Sequence, residues 1–352
     1  MKRGRAAKPA SRSVDLVALA ELLEKFSTKT VILLGDFVAD EYQFGEISRV
    51  SREAPVLILR HHETKLFPGG GANAANNLAA LGARVLPVTA VGNDEAGEAL
   101  INYFLGKGID IAGIVRVKEW TTPTKARFFA GWAHAVGQQV LRVDREPRNS
   151  LPASIAKKLQ QLLLARLPSA DALAVSDYGF GVASPALIKS ARKKRNTNLP
   201  ITLDARYKLT AYAKAGITSA TPNEGELEAE HHTTIGANID ELARCGRATL
   251  SAMKLHALLV TRGRDGVALF ENAGQLTCLP VHGSNQAVDV TGAGDTVLAA
   301  YTLALACGAS ALEAAHIANI AGGLVVMKRG TATVSRDELL ETIRHEAAGA
   351  VS

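Results

Sequence analysis

The sequence has little cysteine: Cys245, Cys278 and Cys307 are the only three in 352 residues, scattered and without a C-x-x-C pair. That excludes a disulfide framework and a cysteine-rich metal site, and it fits a reducing compartment. Long apolar runs are missing as well. No stretch approaches the ~20 uninterrupted apolar residues of a membrane-spanning helix, and the N-terminus lacks the apolar core of a secretory signal. Two common nucleotide signatures are absent: no Gly-Lys-Ser/Thr follows a glycine cluster at P-loop spacing, and no G-x-G-x-x-G follows the first apolar run. The histidines make no metal set, because His61-His62 and His231-His232 are adjacent pairs, wrongly spaced for one helix face. A cytoplasmic globular protein is expected.

An excess of one charge sign is also lacking outside one short stretch. The formal net charge is +6, yet residues 1–13 carry Lys2, Arg3, Arg5, Lys8 and Arg12 and no acid. The remainder is close to neutral, so neither a nucleic-acid nor a membrane partner is expected. Residues 1–13 read as a disordered basic arm. Hydrophobic residues at 47% and charged residues at 21% suit a chain that buries a large core.

What is present is an alternation. Ser13 reads as a cap for a helix carrying Leu16, Leu19, Leu22, Leu23 and Phe26, and TVILLGD (30–36) reads as a buried strand. Further strands are expected at Arg84–Ala90, Ala172–Ser176, Ile201–Asp204 and Ala257–Thr261. Helices are expected at Ala72–Leu81, Ala96–Leu105, Ile155–Leu164, Pro185–Lys193, Ile239–Met253, Ala293–Cys307 and Leu312–Val326. This order predicts a doubly wound α/β/α domain over 14–352, with a mostly parallel sheet. Tyr42–His62 and Thr122–Asp144 break the rhythm, being rich in β-branched and aromatic residues without a crossover helix. They predict a small β-sheet projecting from the body as a lid.

Two glycine clusters open helices. In DVTGAGD (289–295), Gly292, Ala293 and Gly294 lead into an apolar helix with Asp295 in its first turn. Converging amides and the helix dipole make an anion site, suited to charge developing on a transferring phosphoryl group. A carboxylate beside it can accept the proton of an attacking hydroxyl. The same spacing also reads as a tight turn with an aspartate cap. In PGGGANAANNLAALG (68–82), glycines and Asn73, Asn76 and Asn77 begin another helix. They suit close approach of a hydroxyl-rich ligand, or an ordinary capped junction.

Together these motifs resemble the ribokinase, or PfkB-type, carbohydrate kinases, whose two glycine motifs appear here as Gly69-Gly70-Gly71-Ala72-Asn73 and Asp289 to Asp295, in the same order. The resemblance covers about residues 28–345. Segments 35–56, 122–129, 138–144, 176–181 and 328–335 look like the kinase domain of bacterial heptose 7-phosphate kinases, which phosphorylate C1 of D-glycero-D-manno-heptose 7-phosphate for lipopolysaccharide precursors. The chain ends soon after Asp295, so the stand-alone kinase form is expected.

The resemblance implies a ribokinase-like fold, ATP and Mg2+ as cofactors, a sugar phosphate as acceptor and a homodimer formed through the lid. It makes Asp295 the catalytic base and Gly292, Ala293 and Gly294 the anion hole. Asp36, Asp40, Gly69, Gly70, Asn73, Gln139 and Asp177 fall at sugar-binding positions. Lys125, Arg127 and Arg142, on the lid strands, suit the phosphate already on the sugar; Arg49 and Arg52 suit it too, and all five also read as solvated strand-face charge. Asn223 and Glu226 match an N-x-x-E motif that organises Mg2+ through water, and they equally form a helix capping pair. Thr261, Gly263 and Gly266 match the nucleotide loop, and Asn319 an adenine-side position or simply a polar helix face. One departure touches the acceptor: Asp204-Ala205-Arg206 stands where heptose kinases usually have Asp-Pro-Lys. A kinase for another sugar, such as fructose or its phosphate, and a silent sugar or nucleotide sensor are the competing readings.

Overall fold

The computed structural model describes residues 14–131, 138–194, 199–272, 274–284 and 286–350. The expected basic arm at 1–13 lies outside the described residues, as do positions 132–137 of the second expected lid segment. The first helix, α1 (Leu16–Glu24), is capped by Asp15, whose Oδ1 accepts the Val17 amide at 2.9 Å. Ser13, the expected cap, lies outside the described residues, and Asp15 supplies the short oxygen acceptor an N-cap needs.

There follow β1 (Thr30–Gly35), β2 (Phe37–Val50), β3 (Leu57–Gly70), α2 (Gly71–Ala80), β4 (Arg84–Gly92), α3 (Glu95–Gly106), β5 (Ile114–Val117), β6 (Thr124–Gly131) and β7 (Gln138–Arg145). Then come α4 (Ala153–Arg166), β8 (Ala172–Asp177), α5 (Pro185–Lys194), β9 (Ile201–Ala205), β10 (Ser219–Ala220), α6 (Glu224–His231) and α7 (Ile239–Met253). The last third holds β11 (Ala257–Thr261), β12 (Val267–Glu271), β13 (Leu276–Leu279), α8 (Ala293–Ala306), α9 (Ala311–Val325) and α10 (Arg336–Ala350).

The main sheet has nine strands in the order β13-β12-β11-β10-β9-β8-β1-β4-β5. All are parallel to one another except β12, which pairs antiparallel with both its neighbours. Strand β1 explains why its sequence shows no alternation: Val31 and Leu33 enter one core cluster, Ile32 and Leu34 the other. A central parallel strand is covered on both faces, so every position is apolar. Helices α1, α2, α3, α8, α9 and α10 pack on the first face, and α4 to α7 on the second. Each fully buried leucine or isoleucine contributes about 1.5–3 kcal/mol.

The chain moves outward from β1 in both directions, to β4 on one side and β8 on the other. This reversal opens a crevice beyond the carboxyl ends of β1 and β8, where open α/β sheets bind ligands. A separate sheet of four strands, ordered β3-β2-β6-β7, stands over it. The lid starts earlier than expected, at Phe37 rather than Tyr42, because β1 passes into β2 through the single residue Asp36. Strand β3 also runs to Gly70, which puts Gly69 and Gly70 at the base of the lid rather than in a loop. The short strands β5, β10, β12 and β13 carry too little periodicity to be expected from sequence.

Candidate active site

The chemistry concentrates where α8 begins. Gly292 adopts φ +79°, and a Cβ there would lie 2.4 Å from the Asn73 side-chain nitrogen. Both the left-handed turn and the close approach of Asn73 therefore require glycine. Asp289 holds this turn in place: its two oxygens accept the Thr291 and Gly330 amides, each at 2.9 Å. Burial would raise the pKa of Asp289, yet its hydrogen bonds to Thr291 and Gly330, with the Arg127 charge, outweigh it and keep the carboxyl below its ordinary range.

Asp295, in the first turn of α8, is 3% exposed. Its Oδ2 accepts the Asn73 side-chain amide at 2.8 Å and its Oδ1 accepts the Tyr178 hydroxyl at 3.2 Å. Burial pushes its pKa up to about 7; Asn73 and Tyr178 oppose the shift, Asp40 adds to it and Lys125 opposes it. A carboxylate with that affinity for protons is matched to taking one near neutral pH. Asn73 is itself fixed by α2. Asn77 donates to the Asn73 carbonyl at 3.0 Å and side-chain oxygen at 3.2 Å, while Thr296 of α8 donates to the Asn77 side-chain oxygen at 2.9 Å. This ladder ties the two glycine-opened helices together.

The aspartates at the crevice divide their tasks. Asp36 is 1% exposed, and its oxygens accept the amides of Tyr178, Phe180 and Val182 at 2.9–3.0 Å. Burial raises its pKa to about 6 despite those bonds. Expected as a sugar ligand, Asp36 anchors the loop after β8 through these three backbone amides, two on Oδ2 and one on Oδ1. Asp177 does similar work, accepting the Gly179 amide at 2.9 Å and the Tyr212 hydroxyl at 2.5 Å. Asp40 pairs with Arg127 at 2.5 Å. A Cβ on Gly69 would lie 2.6 Å from Asp40 Oδ2, so glycine there leaves room for that oxygen.

A cavity of about 560 Å³ opens beside Tyr178. Lys125, Arg142, Arg148, Arg206, Tyr178 and Tyr207 line it, together with Asp144 and Glu146. The Lys125 ammonium lies 5.1 Å from the centre of the Tyr178 ring. Burial draws its pKa below the ordinary range, with Asp40 opposing. Arg142 holds Asp144 in a two-point pair at 2.8 and 2.9 Å. Arg127 is not among the lining residues, because it is committed to Asp40 and to the Tyr42 ring 5.4 Å away. Gln139, Arg49 and Arg52 are exposed and likewise do not line the cavity.

On the other side of α8, a mostly apolar cavity of about 400 Å³ is lined by Thr261, Gly263, Gly266 and Asn319 and reaches Ala293 and Gly294. Gly266, at φ +77°, passes so close to Leu279 that a Cβ would sit 2.1 Å from its carbonyl. Asn319 donates to the Pro280 carbonyl at 2.7 Å, which turns a helix-face amide into a tie for the cavity wall. Asn223 and Glu226 form a reciprocal capping box at the start of α6, with bonds of 2.8 and 2.9 Å. Burial raises the pKa of Glu226, while its cap bonds and Arg206 oppose the rise.

The sequence reading missed Tyr178, Arg148 and a role for Asp204. Burial raises the Asp204 pKa well above the ordinary value, reinforced by Glu226 and Asp295. Its signal was available: Asp177 and Asp204 sit at the carboxyl ends of neighbouring strands. Among the described residues, no group of three or more His, Cys, Asp or Glu is placed to hold a metal ion directly. No helix there is long and apolar enough to cross a membrane.

The model of the pfkB family carbohydrate kinases matches residues 29–338. The chain belongs to that family. It is therefore a phosphotransferase that acts on sugar hydroxyl groups. Similar curated proteins include the "Bifunctional protein HldE" of Geobacter sulfurreducens, 38% identical over 317 residues, and its namesake in Paramagnetospirillum magneticum, 37% identical over 338. The alignments cover 89% and 94% of this chain, and 62% and 67% of those proteins. The chain thus spans about three-fifths of the length of the Geobacter relative. Among solved structures, Escherichia coli phosphofructokinase-2 in complex with potassium superimposes with a TM-score of 0.71 and 19% identity, covering 91% of this chain and 99% of that one. Arabidopsis thaliana ribokinase complexed with ribose and ATP gives 0.69 and 19%, covering 90% and 99%. These likenesses make the fold ribokinase-like, with the small sheet as its lid.

Proposed function

We propose that this pfkB family kinase phosphorylates the C1 hydroxyl of D-glycero-D-manno-heptose 7-phosphate, using ATP and Mg2+, in the supply of lipopolysaccharide precursors. The observation that carries the acceptor class is the cationic cavity next to Asp295, where Lys125, Arg142, Arg148 and Arg206 gather. An unphosphorylated sugar has no use for so many cations, whereas a sugar phosphate needs them. The similarity to proteins named HldE supports the heptose.

The donor side fits a nucleotide. The apolar cavity has a glycine at a wall position where a side chain would collide, and it ends at the amides that open α8. Thr261, Gly263, Gly266 and Asn319 would hold the base and ribose, and Ala293 and Gly294 the phosphates. Glu226 and Asn223 would orient water around Mg2+, which keeps much of its hydration shell. Bound ATP supplies the phosphoryl group, and Mg2+ neutralises part of its charge.

Asp295 takes the proton from the acceptor hydroxyl as that oxygen bonds to the γ-phosphorus and the bond to the ADP oxygen breaks. The amides at the head of α8 face the charge that develops. Asp40 binds a sugar hydroxyl through the oxygen that Gly69 leaves accessible, with Asn73 alongside. The lid excludes water, which would otherwise consume the donor. Dimerisation occurs through the lid, where Val50, Val56 and Leu57 at the β2–β3 turn and Val140, Leu141 and Val143 on the edge strand β7 are exposed apolar side chains.

The test is ADP release with Mg-ATP across heptose 7-phosphate, fructose, fructose 6-phosphate, ribose and no sugar. Turnover on heptose 7-phosphate alone supports the reading. Preference for another sugar overturns the acceptor and leaves the base in place. ATP binding without turnover on any sugar points to a sensor.

A further inference from the structure

Tyr178 neither takes the proton nor binds the donor in this reaction, yet its side chain touches the base. Its hydroxyl donates to Asp295 Oδ1 at 3.2 Å. Its ring supports the Lys125 ammonium, 5.1 Å from the ring centre. Gly70 makes the space: a Cβ there, at φ +55°, would lie 3.1 Å from Tyr178 Cε2. The backbone is equally constrained, because the Tyr178 amide donates to Asp36 at 2.9 Å. One residue thus links the loop anchor, the glycine motif, a lid cation and the catalytic carboxylate.

We propose that Tyr178 is a positioning residue of the phosphoryl transfer: its hydroxyl fixes the rotation of the Asp295 carboxylate, and its ring carries Lys125 to the mouth of the acceptor cavity. This rests on Asp295 being the base, not on which sugar is the acceptor. Asn73 holds Oδ2 and Tyr178 holds Oδ1, so the carboxylate plane is set by donors on two different elements. A carboxylate oxygen accepts more than one hydrogen bond, which leaves each oxygen able to receive the acceptor hydroxyl. The charged groups facing Asp295 are Asp40 and Lys125 from the lid and Asp204 from β9. The Tyr178 bond is a donor to the ionised form and favours it.

The experiment follows the Asp295 carboxyl carbon by NMR in the full chain, its signal assigned by loss in Asp295→Asn. Tyr178→Phe keeps the ring and removes the donor. Its midpoint is expected to rise by about one pH unit, the worth of one hydrogen bond to a charged group. Incorporating 3-fluorotyrosine at 178 strengthens the donor with little change of size and is expected to lower the midpoint, which keeps the test available if Tyr178→Phe does not fold. In turnover, Tyr178→Phe lowers kcat about tenfold, moves the acidic limb up with the NMR midpoint, and leaves KM for ATP unchanged. Midpoints that stay put in both proteins overturn the proposal. The NMR arm needs no sugar, so a wrong acceptor assignment leaves it intact.

Discussion

Asn73 and Asp295 are separated by 222 positions in the chain and by 2.8 Å between side-chain atoms. The contact joins the two glycine-opened helices, so the Asp295 carboxylate is oriented by an element from the first quarter of the chain. It also explains Gly292, which a Cβ would drive into the same amide.

Removing that amide exposes its electrostatic share. Asn73→Ala takes away a donor that favours ionised Asp295, so the pKa near 7 rises further. The rate profile should then keep its plateau at high pH but lose its acidic shoulder, with the limb displaced upward by about one unit. Steady-state turnover from pH 5.5 to 9 measures it. An unmoved limb would mean that Asn73 acts on the sugar alone.

Gly292→Ala tests the turn itself. The new methyl group demands a left-handed conformation and displaces Asn73, at a cost of about 1–2 kcal/mol from the backbone. The variant should fold with a lowered midpoint in urea and lose turnover far beyond that. Chemical denaturation and ADP release on one preparation separate the two effects. Full activity would remove the turn from the mechanism.

The alternation of strands and helices was legible because each long element carries its own period. Every expected main-sheet strand and helix has observed ends within two residues of the expected ones. The lid was legible in outline, but its start was not: nothing local marks Asp36 as a single-residue handover between sheets. The site was readable where glycine and aspartate share a motif, as at 289–295. It was harder to read where function comes from what surrounds a residue. Asp36 looks like a free carboxylate in sequence and accepts three backbone amides in the fold. Arg127 looks available and is held by Asp40. Tyr178 contacts a residue 117 positions away, a relation no spacing pattern encodes.

The cationic cavity makes a prediction about the acceptor. Arg206 lies on its wall, and its guanidinium carbon is 5.8 Å from the centre of the Tyr207 ring. Arg206→Ala should raise KM for a sugar phosphate about 10–100-fold, the worth of one or two charge-assisted bonds, while KM for ATP holds. Arg142→Ala should do the same with an added loss from freeing Asp144. If KM for the phosphorylated sugar stays constant in both, the phosphate binds elsewhere. Arg127→Lys is the contrast: its loss should appear as disorder of Asp40 and therefore in every sugar tested, phosphorylated or not.

Asp295→Asn should separate catalysis from stability. Without a carboxylate to take the proton, turnover falls about 10²–10⁴-fold. Stability should move the other way. The folded pKa near 7 stands above the ordinary carboxylate value of 3.8 because burial disfavours the charge. The group therefore contributes its full stability below about pH 4 and loses it progressively as pH rises through 7. Asparagine is neutral throughout and keeps an oxygen for Asn73. Its advantage over the native chain should be near zero below about pH 4, already about 1–2 kcal/mol at pH 5, and should level off above pH 7 at a ceiling of about 4 kcal/mol for a shift of this size. Urea unfolding at pH 5 and at pH 8 measures the difference. Equal differences at pH 5 and pH 8 would mean that Asp295 is not charged at the expense of the fold, and the account of a strained, buried base would fail with it.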